Sequence, residues 1–176
     1  VLTKRSNGKA SEVELAGFPH HSLDTYLPKL VRAGQRVAIC DQLEDPKKTK
    51  DLVKRGVTEL VTPGVTLNDK VLESKQSNYL AALFHRDGQY GLALLDISTG
   101  EFMAAQGGLD YTTKLLQGLK PTELIFTKSN RELIQEKFGN QFYTFTLDEW
   151  IFTHEFAYDR LIKHFKVKNL KGFGMH

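Results

Sequence analysis

The stretch NYLAALFHRDGQYGLALLDISTGEFMAAQ (residues 78–106) decides the fold. Residues 78–84 and 90–98 are apolar runs of strand length. Between them stands Asp87-Gly88, a dipeptide that tolerates the positive φ angles of a tight hairpin. Thr99-Gly100 turns the chain again, into a third strand over residues 101–106. After this antiparallel meander the period changes. Helices are expected over 111–119 and 131–138, with Ser129 or Asn130 as cap and Gly139 as stop for the second. Strands are expected over 123–127 and 142–146, and a last helix from about Thr153 to Phe165. The order β-β-β-α-β-α-β-α is that of a ribonuclease-H-like fold: a mixed five-stranded sheet covered by helices.

Upstream of that meander, residues 67–77 are polar with few apolar anchors and read as a linker. Residues 1–66 read as a small α+β unit. Leu23, Tyr26, Leu27, Leu30 and Val31 follow the spacing of one buried helical face, with Ser22 as cap and Gly34 as left-handed stop. Pro28 inside that helix calls for a kink or a later start. Residues 36–42 (RVAICDQ) read as a strand with Val37, Ile39 and Leu43 on one face. Residues 56–62 form a second strand, stopped by Pro63-Gly64. The expected organisation is therefore residues 1–66, a linker at 67–77, and an α/β domain over 78–176.

Composition narrows the class further. The 176 residues are 40% hydrophobic and 26% charged, which places the chain among globular proteins rather than disordered ones. A single cysteine excludes a disulfide framework and a cysteine zinc site. No apolar run approaches the roughly 18 residues of a membrane span, so no membrane role and a cytoplasmic location are expected. The formal charge of +3 lies in residues 1–66, which hold 11 basic and 8 acidic side chains, against 13 and 13 in the remainder. That is a weak hint of an anionic partner. The Val1 start and the Gly-Phe-Gly-Met-His end suggest a piece of a longer protein.

Motifs of chemistry are few. There is no G-x-x-x-x-G-K-[ST] phosphate loop, so no nucleotide hydrolysis is expected of this chain. The ribonuclease-H-like order raises a metal-dependent nuclease or resolvase, in which several carboxylates hold two Mg²⁺ ions. Asp96 could contribute one, but the strand over 78–84 carries no acid. An Asp96 that accepts hydrogen bonds from the Ser98-Thr99-Gly100 turn is the favoured reading. His20-His21, His154 and His164 lack ligand spacing, and Cys40 is expected to be a buried, inert thiol. The aromatic residues between 138 and 158 are expected to pack a core with a partner surface. Lys4-Arg5 and the group Lys47, Lys48, Lys50, Lys54 and Arg55 are the kind of flexible cations that phosphate contacts use. A solvated face is the default for such residues.

Several motifs occur together and in order: Leu2-Thr3-Lys4-Arg5, Ala16-Gly17-Phe18-Pro19-His20-His21, Val37-Ala38-Ile39-Cys40-Asp41-Gln42, Val61-Thr62-Pro63-Gly64, Asn78-Tyr79-Leu80-Ala81-Ala82 and Leu95-Asp96-Ile97-Ser98-Thr99-Gly100. Across essentially the whole chain this set resembles the N-terminal part of the MutS family of bacterial DNA mismatch-repair proteins. The resemblance implies that residues 1–66 are the rear of a mismatch-binding domain and 78–176 a connector domain with a ribonuclease-H-like fold and no nuclease activity. It implies a Phe-x-Glu mismatch-reading motif upstream of Val1, and ATP, Mg and a DNA-dependent ATPase only in full-length members. No enzyme activity and no cofactor are then expected of this piece. The implied partners are duplex DNA with mismatches, MutL, and a second MutS copy in the full-length protein, at the bacterial nucleoid. By position, the residues expected to touch DNA are Lys4, Arg5, Leu15, His21 and Arg55, with residues 15–21 as a loop. A protein-docking module without a DNA role is the other reading.

Overall fold

In the computed structural model, which describes residues 2–6, 12–49, 51–66 and 77–175, the chain opens with two antiparallel strands, β1 (Leu2–Ser6) and β2 (Glu12–Ala16). A 3-10 turn at His20–Ser22 leads into α1 (Leu23–Arg32), which runs unbroken through Pro28. An interior proline forfeits a backbone bond at a cost of about 3 kcal/mol. Burial of Pro28 beside Leu27 and Val31 offsets part of that. Gly34, at φ 80°, closes the helix. Its N–H donates to Val31 O at 2.9 Å while Gln35 N–H donates to Leu30 O at 3.0 Å, the paired bonds of a left-handed helix stop.

Four expectations for this unit are corrected. Ser22 makes no side-chain cap bond, because its backbone at φ −93° and ψ 5° continues the preceding turn instead of taking the extended cap geometry. Tyr26 and Leu30 are exposed while Leu27 and Val31 are buried, so the buried stripe is narrower than the spacing suggested. Cys40 is exposed. It lies on β3 (Val37–Gln42), which pairs antiparallel with β4 (Arg55–Val61) through a register shift between Ile39 and Cys40. Such a shift breaks the two-residue alternation. Val37 and Ile39 pack with Leu23, Leu27, Val31 and Val61, whereas Leu43, past the shift, is 60% exposed.

The second unit is built on the meander. β5 (Tyr79–Arg86) and β6 (Gln89–Asp96) are joined through Asp87 and Gly88, at φ 50° and 76°. Positive φ at both turn positions gives the twist that suits a two-residue hairpin. β7 (Glu101–Gly107) pairs antiparallel with β6. α2 (Leu109–Leu119) then carries the chain over to β8 (Glu123–Thr127), and α3 (Arg131–Phe138) carries it to β9 (Tyr143–Leu147). Both of these strands run parallel to β5, giving the sheet order β7-β6-β5-β8-β9. α4 (His154–Phe165) follows. This is the mixed five-stranded α/β architecture expected from the order of elements.

Alternation sorts the two faces of the sheet. Tyr79, Ala81, Leu83, Leu92 and Leu94 join Leu124 and Phe126 in a core closed by Leu116 of α2 and by Ile134 and Phe138 of α3. On β5 the intervening positions Leu80, Ala82 and Phe84 are half-buried. Phe152 stacks on Phe84 at 5.9 Å between ring centres, and Phe165 of α4 lies 6.1 Å from Phe102.

The expected boundary after residue 66 differs from the structure, in which Pro63–Thr66 belong with the second unit. Hydrogen bonds hold them there. Gly64 N–H donates to the buried Glu123 Oε2 at 3.0 Å, Asn78 Nδ2 donates to Pro63 O at 3.1 Å, and Thr122 Oγ1 donates to Asn78 Oδ1 at 2.7 Å. Apart from Ser77, the expected linker lies outside the described residues. A methyl group on Gly64 would stand 2.8 Å from Glu123 Cβ and 3.1 Å from Leu80 Cα, atoms that cannot swing away. Gly64→Ala is therefore expected to destabilise the second unit by about 1–3 kcal/mol through overpacking. Urea unfolding followed by fluorescence of Trp150, the one tryptophan, measures this; an unchanged midpoint would refute the close approach.

Candidate nucleic-acid interface

The expected DNA-contacting residues fall on four elements of the first unit. Lys4 and Arg5 sit on β1 and Leu15 on β2, in a register that sets Lys4 opposite Glu14, Arg5 opposite Val13 and Leu15 opposite Thr3. One hairpin thus brings three of the five together, and Lys4 is exposed on it. His21 is exposed on the 3-10 turn that enters α1. Arg55 is exposed at the start of β4, opposite Gln42 in the other two-stranded sheet. The segment expected as a loop over 15–21 is in part regular structure: Leu15 and Ala16 end β2, and His20 and His21 form the turn. Of the segment Ser6-Asn7-Gly8-Lys9 after Arg5, only Ser6, the end of β1, is among the described residues.

The connection between β3 and β4 displays the other cations. Asp45 organises it by accepting Lys47 N–H on its carboxylate at 3.0 Å and Lys48 N–H on its carbonyl at 3.0 Å. Those bonds follow from Asp-Pro chemistry, since a short acidic side chain closes a turn on the backbone two residues ahead. Lys47 and Lys48 stand exposed, while Lys54 pairs with Glu44 at 3.2 Å. An exposed pair of that kind is worth little, so Lys54 is available to a stronger anion. Sequence reasoning missed one further feature. Phe18 stacks on Tyr26 at 4.6 Å with both rings more than a third exposed, and Lys29 Nζ lies 5.4 Å from the Tyr26 ring. The signal lies in Gly17-Phe18-Pro19 ahead of the helix, whereas helical spacing alone assigns Tyr26 to the buried face.

Chemically, the described residues of this unit present exposed cations at Lys4, Lys47, Lys48 and Arg55. Such an arrangement suits sequence-independent phosphate contacts.

Asp96, the candidate metal ligand of the second unit, is buried and engaged by the protein itself. Its Oδ1 accepts the Ser98 hydroxyl at 2.6 Å and the Ser98 N–H at 2.9 Å, and its Oδ2 accepts Asn78 N–H at 3.1 Å. Burial pushes its carboxyl upward, but the bonds from Ser98, Asn78 and Thr99 outweigh it and hold the group below the ordinary 3.8. The neighbouring acids are also engaged: Glu101 accepts the Tyr79 hydroxyl at 2.6 Å, and Glu123 accepts Gly64 N–H. That Glu101 bond holds the Tyr79 hydroxyl above the usual tyrosine range. Among the described residues, no three of His, Cys, Asp and Glu are grouped to hold a metal ion. Nor is any helix among them long and apolar enough to cross a membrane. The aromatic residues near the end divide between core and surface: Phe138 is buried, while Tyr143, Phe145 and Trp150 are exposed.

Comparison with known proteins assigns each unit. A family profile described as MutS domain I matches residues 1–70, and one described as MutS domain II matches residues 78–176. The chain is 60% identical over 175 residues to a protein named DNA mismatch repair protein MutS in Bacteroides fragilis, and equally so in Bacteroides thetaiotaomicron and Cytophaga hutchinsonii. In each case the similarity covers 99% of this chain and 20% of the relative, so the chain spans about a fifth of the length of the curated relatives it matches. These matches do not favour the nuclease reading of Asp96.

Proposed function

Because the chain belongs to the MutS family through its domains I and II, we propose that it serves DNA mismatch repair as a binding and coupling module. Its first unit supplies sequence-independent contacts to the backbone of mismatched duplex DNA through Lys4, Arg5, Leu15, His21 and Arg55. Its second unit acts as a connector that docks MutL, within an assembly that contains a second copy. The module needs no cofactor of its own and does no catalysis; the ATP and Mg chemistry implied for full-length members has no phosphate-binding loop here. It works in the bacterial cytoplasm, at the nucleoid. The observation that supports this most is the ordered match of both family domains along the whole chain.

Minor-groove recognition of a mismatch uses an inserted aromatic wedge and a kinked duplex. This sequence contains no Phe-x-Glu, so its contribution is to hold DNA rather than to read it. The chain is expected to bind homoduplex and mismatched duplex about equally, with strong salt dependence. Replacing Lys4, Arg5 and Arg55 together by alanine is expected to make the slope of log K against log salt shallower by about 2–3, since each phosphate contact contributes about 0.9. Fluorescence anisotropy over a salt series measures both quantities. A clear preference for the mismatch, or an unchanged slope in the triple variant, would overturn the reading.

A further inference from the structure

The charge balance of the second unit conceals a segregation. Residues 78–159 hold six basic and eleven acidic side chains, whereas residues 160–176 hold Arg160, Lys163, Lys166, Lys168 and Lys171 and not one Asp or Glu. All five cations are exposed. Earlier in the unit, three of the six cations have carboxylate partners: Arg86 with Asp87 at 3.4 Å, Lys128 with Asp148 at 2.6 Å and Lys137 with Glu136 at 2.8 Å. Among the described residues, none of the five enters an ion pair.

These cations are carried on an anchored scaffold. Arg160 and Lys163 lie on α4, and Arg160 rests 5.0 Å from the Phe156 ring. Lys166, at φ 54°, closes the helix, and Val167 N–H donates to Ile162 O at 3.1 Å. Leu170 is buried at 4% exposure and pins the next turn, where Asn169 Oδ1 accepts Lys171 N–H at 3.1 Å. Phe165 packs between Phe102 at 6.1 Å and Phe173 at 5.0 Å. Cations complement the carbonyl end of a helix, which accounts for Lys163 and Lys166. It does not account for Lys168 and Lys171, which lie past that end.

We infer that residues 160–171 form a second DNA-backbone surface, on the connector unit and separate from the contacts proposed for the first unit. This deepens the duplex-binding reading and rests on it. Charge complementarity selects the occupant. Duplex DNA offers one negative charge per about 1.7 Å of axis, and Arg160 to Lys166 alone span about 9 Å of helix. Four of the five cations are lysines, which act as flexible point charges towards phosphate.

The test uses the whole chain and a homoduplex of about 30 base pairs, the rough size that a multi-contact electrostatic site needs. Lys163→Gln, Lys166→Asn, Lys168→Gln and Lys171→Gln are combined; asparagine at 166 tolerates the positive φ. Far-UV circular dichroism verifies that the variant is folded. Affinity at low salt is expected to fall about ten-fold or more, and the salt slope to become shallower by about 3–4. Unchanged affinity and slope would overturn the inference, as would undetectable binding by the unaltered chain. So would loss of binding to a poly-glutamate peptide with duplex binding retained. The Lys4, Arg5 and Arg55 triple variant separates the two claims: if it alone is silent, the first-unit contacts fail while this surface stands.

Discussion

Leu83→Ala is expected to destabilise the second unit by about 2–5 kcal/mol, enough to remove a large part of the stability of an ordinary domain. Leu83 lies on the central strand, between β6 and β8, with 0% of its surface exposed. It faces Leu92 across β6 and shares its core with Leu124, Ile134 and Phe138. Truncation loses the transfer free energy of the missing carbons. It also leaves a cavity, which strands hydrogen-bonded on both sides cannot close by moving together. Urea unfolding followed through Trp150 should show a lower midpoint with an unchanged slope against denaturant. A loss below about 1 kcal/mol would show that the helices over this face collapse onto the gap.

Asp96→Ala should cost about 1–3 kcal/mol, because it removes the buried acceptor that the part-buried Asn78 N–H, Ser98 N–H and Ser98 hydroxyl share. The effect also carries a signature in pH. The carboxyl is held below the ordinary value of 3.8, despite burial, by the bonds from Ser98, Asn78 and Thr99. A depressed folded value means that the unfolded chain takes up its proton first as pH falls. The stabilisation is therefore complete well above 3.8 and disappears as pH drops through the lower folded value. Acid titration of stability should be steeper across that range in the unaltered chain than in Asp96→Asn. Parallel curves would mean that Asp96 contributes no linkage. A nuclease role would have predicted something else, namely loss of activity without loss of stability.

Much of the second unit was legible because its signals are local. Asp87-Gly88 specifies a hairpin by its tolerance of positive φ, and the strand at Glu123–Thr127 and the helix at Arg131–Phe138 fall where the hydrophobic period placed them. The first unit was less legible. β1 and β2 carry few apolar anchors, and Leu15 and Ala16, expected in a loop, pair within a strand. The shift at Ile39 and Cys40 leaves no trace in composition, so Cys40 and Leu43 were assigned to the wrong surroundings. For the site, the sequence supplied the cations of the first unit and concealed those of the second, where basic and acidic residues cancel over a long window.

The sequence by itself determined the order of elements, the two family domains and the kinds of side chain on offer, because turn chemistry, hydrophobic period and motif spacing are properties of neighbours in the chain. Tertiary structure decided where the units divide. Pro63–Thr66 join the second unit because Glu123 and Asn78, distant in sequence, satisfy their backbone groups. It also decided that Asp96 is a structural acceptor and that, among the described residues, the cations past α4 have no carboxylate partner. Both outcomes depend on which groups meet through space, and pairings of that kind follow from packing rather than from spacing along the chain.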